Sequence, residues 1–468
     1  MRLRFGHIAK DSLPTAFLVT AVLLGGASGV GAGAMANGIL QVLSIVLILY
    51  CLWARRGGAL PSEAKPLMWL GLIFFVIAAA TLIPLPAGLW QQLPGRDIVT
   101  RGLALVGIPD AALPYSLAPQ ATLSSLPWLL PPLAAYLLVL KASHEARKLL
   151  AGGVLVIAVI SVGLGIAQLL GGATALRPYE ITNPGLPVGF FANANHFGTL
   201  LVCAIPFCGY IAARAVRRSG GAKRGSGVAL AVTTALFIIT GILSIGSLGA
   251  VGLLLVTAAA TLLIYRRAAR GSLSAIWIGG AGISFLLFLG LALMGPLQGQ
   301  ALTGKLSDER TSRKVMAATT MVAIEDTFPA GTGLGSFPVV YRTYEDPTAI
   351  GEELVNHAHN DYLEFVMELG LPALLLMIFF IFWWGWRSIG VWRSNSEGSD
   401  LGRAGSIIIL VVLLHSIVDY PIRTSAIAAL FAMACALMVP VSSRARAASS
   451  RRGVPEAEEP DLRHLEAD

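Results

Sequence analysis

Asn356-His357-Ala358-His359-Asn360-Asp361-Tyr362-Leu363-Glu364 runs, six residues on, into Leu371-Pro-Ala-Leu-Leu-Leu-Met-Ile-Phe-Phe-Ile-Phe-Trp-Trp384. Together they place a cluster of ionisable groups against an apolar segment spanning 362–386, and about 20 apolar residues suffice to cross a bilayer as a helix. Eleven further segments read the same way, at about 13–34, 38–53, 66–85, 123–140, 149–170, 189–213, 227–243, 247–265, 274–294, 404–420 and 424–441. The expected fold is an all-α polytopic membrane protein of about 12 transmembrane helices.

Composition agrees. Of 468 residues, 55% are hydrophobic and 13% charged, where a soluble chain carries roughly 25% charged residues. The net charge of +8 is therefore read as a topology signal, and no nucleic-acid partner is expected. Cys51, Cys203, Cys208 and Cys435 fall in apolar stretches without ligand spacing, as small packing residues. Met1-Arg-Leu-Arg4 followed by a long apolar run reads as a first anchor helix and not a cleaved leader. No internal repeat is evident.

With the N-terminus inside, 25 of the 34 basic residues fall on the cytoplasmic side, so both termini are expected in the cytoplasm. The substantial outer loops are then 86–122, 171–188 and 295–361. The first opens at Pro84-Leu-Pro-Ala-Gly-Leu-Trp90, a turn-prone exit with a tryptophan suited to the membrane interface. The expected division is helices 1–9 over 1–294, a long outer loop over 295–361, helices 10–12 over 362–441 and a disordered tail over 442–468. Inside the spans, ionisable groups are scarce and gather near the outer ends: Glu364 and Glu368, then His415 and Asp419. Charges in a membrane usually mark a substrate or ion path. Their confinement to one face favours an enzyme at the membrane surface over a transporter.

Three constellations carry the chemistry. His357 and His359 are either solvated loop residues or, in one case, a general base with a pKa near working pH. A metal reading finds no recommended spacing to Asp308, Glu309, Glu325 or Asp326. Asn360 or Asp361 is expected to cap the tenth span, with Glu364 completing a capping-box-like pair. The helix end would then offer free amides beside His359, an anion site. Arg313 opens a mostly apolar stretch read as a short surface-lying helix, and either anchors it or grips a diphosphate by bidentate contacts. The run Gly331-Thr-Gly-Leu-Gly335 is expected to form a tight loop, since no strand precedes it. Asn193 and Asn195, at the start of the sixth span, either bind a sugar or phosphate or cap a helix.

The chain resembles the O-antigen ligase and O-antigen polymerase superfamily of bacterial membrane glycosyltransferases. The resemblance lies in Gly189-Phe-Phe-Ala-Asn193-Ala-Asn195 with Pro206, in Arg313 followed by Pro329-Ala-Gly-Thr-Gly-Leu-Gly-Ser-Phe337, and in His359-Asn360 nine residues before Gly370. Leu85-Pro86…Leu89-Trp90 and Tyr115-Ser-Leu-Ala-Pro119 also fit. It implies a metal-independent, lipid-carrier-dependent (GT-C type) fold at the bacterial inner membrane. It further implies an undecaprenyl-diphosphate-linked glycan as donor, a lipid or glycan acceptor, membrane lipids as surroundings and no cofactor. By matching, His359 would activate the acceptor hydroxyl and Arg313 would bind the donor diphosphate, with inversion at the anomeric carbon. Asn193, Asn195, His357, Asn360, Arg310 and Arg342 would bind substrate. A ligase acting on the lipid A core is the first expectation and a polysaccharide polymerase the second, with a polysaccharide or lipid transporter as the reading from another class. Two positions depart from the family pattern. Leu248 stands where many members carry an arginine, which Arg310, Arg342 or Arg177 would have to replace, and Ala373 stands for a second glycine after Gly370.

Overall fold

The computed structural model describes residues 2–27, 33–53, 61–172, 175–180, 182–183, 185–218, 221–269, 313–348, 354–396 and 398–441. Its long helices are α1 (Arg2–Leu24), α2 (Ala34–Trp53), α3 (Lys65–Ala80), α4 (Leu130–Lys141), α5 (His144–Gly171), α6 (Ala194–Arg218), α7 (Gly221–Ile245) and α8 (Leu248–Ala268). There follow α9 (Arg313–Thr327), α10 (Phe337–Tyr344), α11 (Asp361–Arg393), α12 (Ser399–His415) and α13 (Ser425–Leu437). Among the described residues, eight helices are long and apolar enough to cross a membrane, and two shorter apolar ones accompany them at Asp11–Leu24 and Ser425–Leu437. The protein is a multi-pass membrane protein. The expected ninth span, 274–294, and the tail from 442 lie outside the described residues.

α6 is the axis of the bundle. Of its spanning window 83% is buried, against 28% for α2, α7 and α11, and it packs on α5, α7, α8 and α12. Small residues let these backbones approach: a Cβ on Gly209 would lie 2.4 Å from the Thr261 methyl, and one on Gly198 would lie 3.1 Å from Ala250. Without a hydrophobic drive between helices in lipid, such close packing supplies the association energy. α11 is much more open, and its Ile378, Phe382 and Trp386 are exposed. An apolar face of that size belongs against lipid.

Polar contacts gather helix ends at one end of the bundle. Arg217 of α6 pairs with Asp400 of α12 at 3.0 Å, Arg403 also pairs with Asp400, and Arg267 of α8 donates to Asn395. These residues, assigned by sequence to one face, share it. Two spans begin and end elsewhere than expected. α1 stops at Leu24 and not near 34, because Gly25 and Gly26 press their backbone onto Ser425 and Phe190. α12 stops at His415, so Asp419 sits in a non-helical link before α13 and not in the eleventh span.

The loop after α3 is folded. Pro84–Leu85 pairs antiparallel with Leu113–Pro114, and Trp90 donates from Nε1 to the Pro114 carbonyl at 2.8 Å. Trp90 is 2% exposed, so it is a core plug here and not an interface residue. The stretch expected as a long loop, 295–361, carries α9 and α10 in its described part. Met316, Phe337, Tyr341, Ala358 and Met367 join them in a small core of their own.

The glycine run forms the tight loop expected of it, and its position is set by α11. Gly370 breaks that helix with φ 60° and ψ −138°. A Cβ there would meet the Pro329 carbonyl oxygen at 2.1 Å, and one on Gly331 (φ 77°) would meet the Gly370 nitrogen at 2.6 Å. The two backbones touch where no side chain fits. Gly333 and Thr332 donate to the Glu368 carbonyl, and Leu371 donates to the Pro329 carbonyl. Gly370→Ala is expected to lower the thermal unfolding midpoint of the detergent-solubilised protein by several degrees, through a cost of about 1–3 kcal/mol from backbone strain and overlap. Gly385→Ala, on the same helix with open space around it, is expected to leave the midpoint unchanged.

Candidate functional site

The link from Ser416 to Thr424 is short because Pro421 opens a single turn of 3-10 helix, Pro421–Arg423. It projects Asp419 and Arg423 toward the starts of α6, α9 and α11. Two charged centres result, with Tyr420 between them.

The first centre is Asp419, which has no exposure. Asn195 Nδ2 of α6 donates to its Oδ2 at 2.7 Å, and Arg313 Nη2 of α9 donates to the same oxygen at 3.2 Å. His359 Nδ1 lies 3.3 Å from Oδ1 and His196 Nε2 lies 3.8 Å from it. Burial by itself would raise the Asp419 carboxyl, but Arg313, His359 and His196 outweigh it and hold the group well below the ordinary carboxylate range. His415 adds a 2.7 Å contact between Nδ1 and Thr199 Oγ1. The centre therefore gathers one ionised carboxylate, one guanidinium and three imidazoles.

His359 itself is distinctive. Its φ of 48° makes it the one non-glycine residue with positive φ among the described residues. Left-handed backbone at a bulky residue costs about 1 kcal/mol or more and persists only where the surroundings impose it. Here they do: Ala358 N donates to Glu364 Oε2 on one side, and Asn360 caps α11 on the other. The His359 side chain keeps 22% exposure, so it faces both the buried carboxylate and the outside.

The second centre is Arg423. Its guanidinium approaches Glu368 at 2.9 Å, Glu364 at 3.5 Å and Asp361 at 3.7 Å. All three carboxylates lie on the first two turns of α11. Glu364 also accepts from His357, through Nδ1 at 2.8 Å, and Glu368 accepts from Gly335 N at 2.8 Å. The Tyr420 ring packs against His357, His359 and His196 at centroid distances of 4.3, 4.8 and 4.8 Å.

The structure thus joins His359, Arg313 and Asn195 in one centre and puts His357 in the other. Asn360 is the N-cap of α11: its Oδ1 accepts from Tyr362 N and Leu363 N, while its Nδ2 donates to the Ile417 carbonyl. Asn193 takes the capping alternative, accepting from Asn195 N at 2.8 Å. Arg342 is exposed on α10 and joins neither centre, and Arg310 lies outside the described residues. Arg177 is engaged by the Asn183 and Leu186 carbonyls.

Two expectations are corrected. Glu364 forms no capping box; it points inward to His357, Ala358 and Arg423, because a carboxylate 1% exposed needs those partners. The amides at the α11 terminus are not free for an anion. Asp361 N donates to the Ser416 carbonyl, Tyr362 N and Leu363 N to Asn360, and Glu364 N to the Asn360 carbonyl. Arg423 was missed as a site residue. Its only signal was a lone basic residue between two apolar spans on the face where cations are rare.

The fold and this site define a multi-pass membrane protein with a charged centre at one end of its helix bundle. Residues 232–378 match the family described as O-antigen ligase, which supports the resemblance to the O-antigen ligase and polymerase superfamily. The matched stretch contains Arg313, the glycine run, His359 and Gly370. No curated protein matches the chain.

Arg423→Gln is expected to destabilise the protein by about 3–5 kcal/mol, because it leaves buried carboxylates without their cation. Thermal unfolding followed by tryptophan fluorescence measures it, with Arg423→Lys expected to recover part of the loss.

Proposed function

We propose that the protein is an O-antigen ligase-like glycosyltransferase of the inner membrane. It moves a glycan from undecaprenyl diphosphate to an acceptor hydroxyl of the lipid A core, on the periplasmic side, with both termini cytoplasmic and a GT-C type arrangement. The observation that carries this reading is the convergence of His359 and Arg313, both inside the family-matched stretch, on one carboxylate beyond it, Asp419.

In this mechanism, Nδ1 of His359 faces Asp419, which leaves Nε2 as the proton acceptor. The acceptor hydroxyl loses its proton to Nε2 as its oxygen bonds the anomeric carbon. The bond from that carbon to the diphosphate oxygen breaks, and undecaprenyl diphosphate departs on the opposite face, which inverts the centre. No metal enters these steps. Arg313 supplies the positive charge at the leaving group and Asp419 fixes both partners. Since the α11 amides are internally bonded, the guanidinium carries the anion contact without help from the helix end. Asn195 orients Asp419, His357 lines the neighbouring wall, and Asn360 holds the backbone turn that presents His359. The middle stretches of α6 and α12, between the Asp419 centre and the Arg217–Asp400 pair at the opposite end, carry no charged side chain, which supports an enzyme over a transporter.

Transfer by purified protein from an undecaprenyl-diphosphate-linked donor tests the assignment. His359→Ala is expected to lose about 10²–10⁴-fold in rate, the usual contribution of a positioned base, with Arg313→Ala lowering donor affinity as well. His357→Ala, held in the second centre, is expected to retain most activity. Equal activity in all three variants would remove the assignment. In a deletion strain, loss of all lipid-linked polysaccharide with accumulation of carrier-bound polymer identifies a ligase, whereas single repeats on the core identify a polymerase.

A further inference from the structure

At the other end of the bundle, α1, α5 and the last turns of α6 enclose a groove of about 650 Å³. We propose that it binds one anionic phospholipid, in the leaflet opposite the Asp419 centre. The inference is independent of the glycosyltransferase reading.

The groove is polar at one end and apolar along its length. Glu145, Lys148 and Arg214 form the mouth, and Leu149, Gly152, Val156 and Ile160 continue along one face of α5. Leu149, Val156 and Ile160 are 51%, 59% and 51% exposed, as a rail for an acyl chain would be. Its floor exists because Gly153 lets α1 come close: a Cβ there would lie 2.2 Å from the Thr15 methyl. Gly152, one residue earlier, has nothing within 4 Å of where its Cβ would stand, and so leaves the groove open. Lys148 to Ile160 spans about 18 Å of helix, close to the roughly 15 Å of hydrocarbon in one leaflet.

The charge at the mouth selects the headgroup. Lys148 is paired with Glu145 at 2.5 Å, whereas Arg214 is exposed and acts on the Glu145 carboxyl from a longer range. One net positive charge remains, on the side chain best suited to a bidentate phosphate contact. The leaflet assignment follows from α6. Asn195 of the Asp419 centre and Arg214 are 19 residues apart on that helix, about 28 Å and one bilayer core. A second copy of the chain fits less well, since it would cover the net positive charge of the mouth without supplying a phosphate.

The test is native mass spectrometry of the full chain after exchange into nanodiscs of equal phosphatidylglycerol and phosphatidylcholine. The wild-type protein is expected to retain one phosphatidylglycerol per chain. Arg214→Gln is expected to weaken retention roughly fivefold, the usual effect of one cation at a membrane surface. Gly152→Leu, which fills the groove at an exposed helical position where leucine favours the helix, is expected to abolish retention while leaving the unfolding midpoint unchanged. Equal retention of the two lipids, or unchanged retention in both variants, overturns the proposal. So does a dimer that Gly152→Leu dissociates without any change in bound lipid.

Discussion

A carboxylate with no solvent exposure must be compensated, and Asp419 is compensated by four residues from three separate parts of the chain. Asn195 reaches it from α6, Arg313 from α9, His359 from the approach to α11, and His196 from one residue further along α6. Removing an ion from water costs several kcal/mol unless geometry and hydrogen bonds repay it. The segment from α9 to α11 lies outside the central bundle, so this requirement is what ties it to α6 and α12. The same requirement imposes the left-handed backbone at His359. The ring reaches Asp419 only if the chain turns sharply there, and Glu364 and Asn360 fasten the turn on both sides.

A second constraint is steric. The backbone contact between Gly331 and Gly370 sets the height of the glycine run on α11, and further parts follow from it. Gly335 N is brought to Glu368, which in turn meets Arg423. Arg96, 1% exposed, donates to the Gly331 and Tyr115 carbonyls, and Tyr115 donates from its hydroxyl to the Ala330 carbonyl. The loop after α3 is thereby stacked on the glycine run, and the glycine run on α11. Pieces of sequence more than 200 residues apart are held by backbone carbonyls, which tolerate side-chain variation but not the loss of either glycine.

Much of this was legible in the residues. Apolar length marked the eight described helices that are able to cross a membrane, because a helix in lipid needs only length and hydrophobicity. His359 and Arg313 stood out as polar groups bordering apolar runs, and the acids at 364, 368 and 419 stood out inside them. What the residues did not disclose was pairing at long range. Nothing local at Arg423 announces three carboxylates on another helix, and nothing at Arg96 announces a carbonyl 235 positions away. Glu364 misled for the opposite reason. Its spacing from Asp361 satisfied a local capping pattern, while burial gave a stronger, tertiary claim on the same side chain. Trp90 is the same case, an aromatic with interfacial character consumed by the fold of its own loop.

The substitution at Leu248 can be placed physically. Leu248 is the first residue of α8, and a Cβ on the adjacent Gly249 would lie 3.9 Å from His415 Nε2. An arginine at the start of α8 would therefore border the Asp419 centre from the side of His415. In this chain that side is apolar, and His415 is turned to Thr199 instead. Of the replacements considered from sequence, Arg177 is occupied by two carbonyls and Arg310 lies outside the described residues. Arg423, which the sequence did not suggest, is committed to three carboxylates. Arg313 pairs with Asp419 and keeps 21% of its side chain exposed. Under the proposed reaction the burden of binding the diphosphate falls on it more heavily than in relatives with a second arginine. An exposed cation such as Arg342 would then contribute only by moving, with α10, when donor is bound.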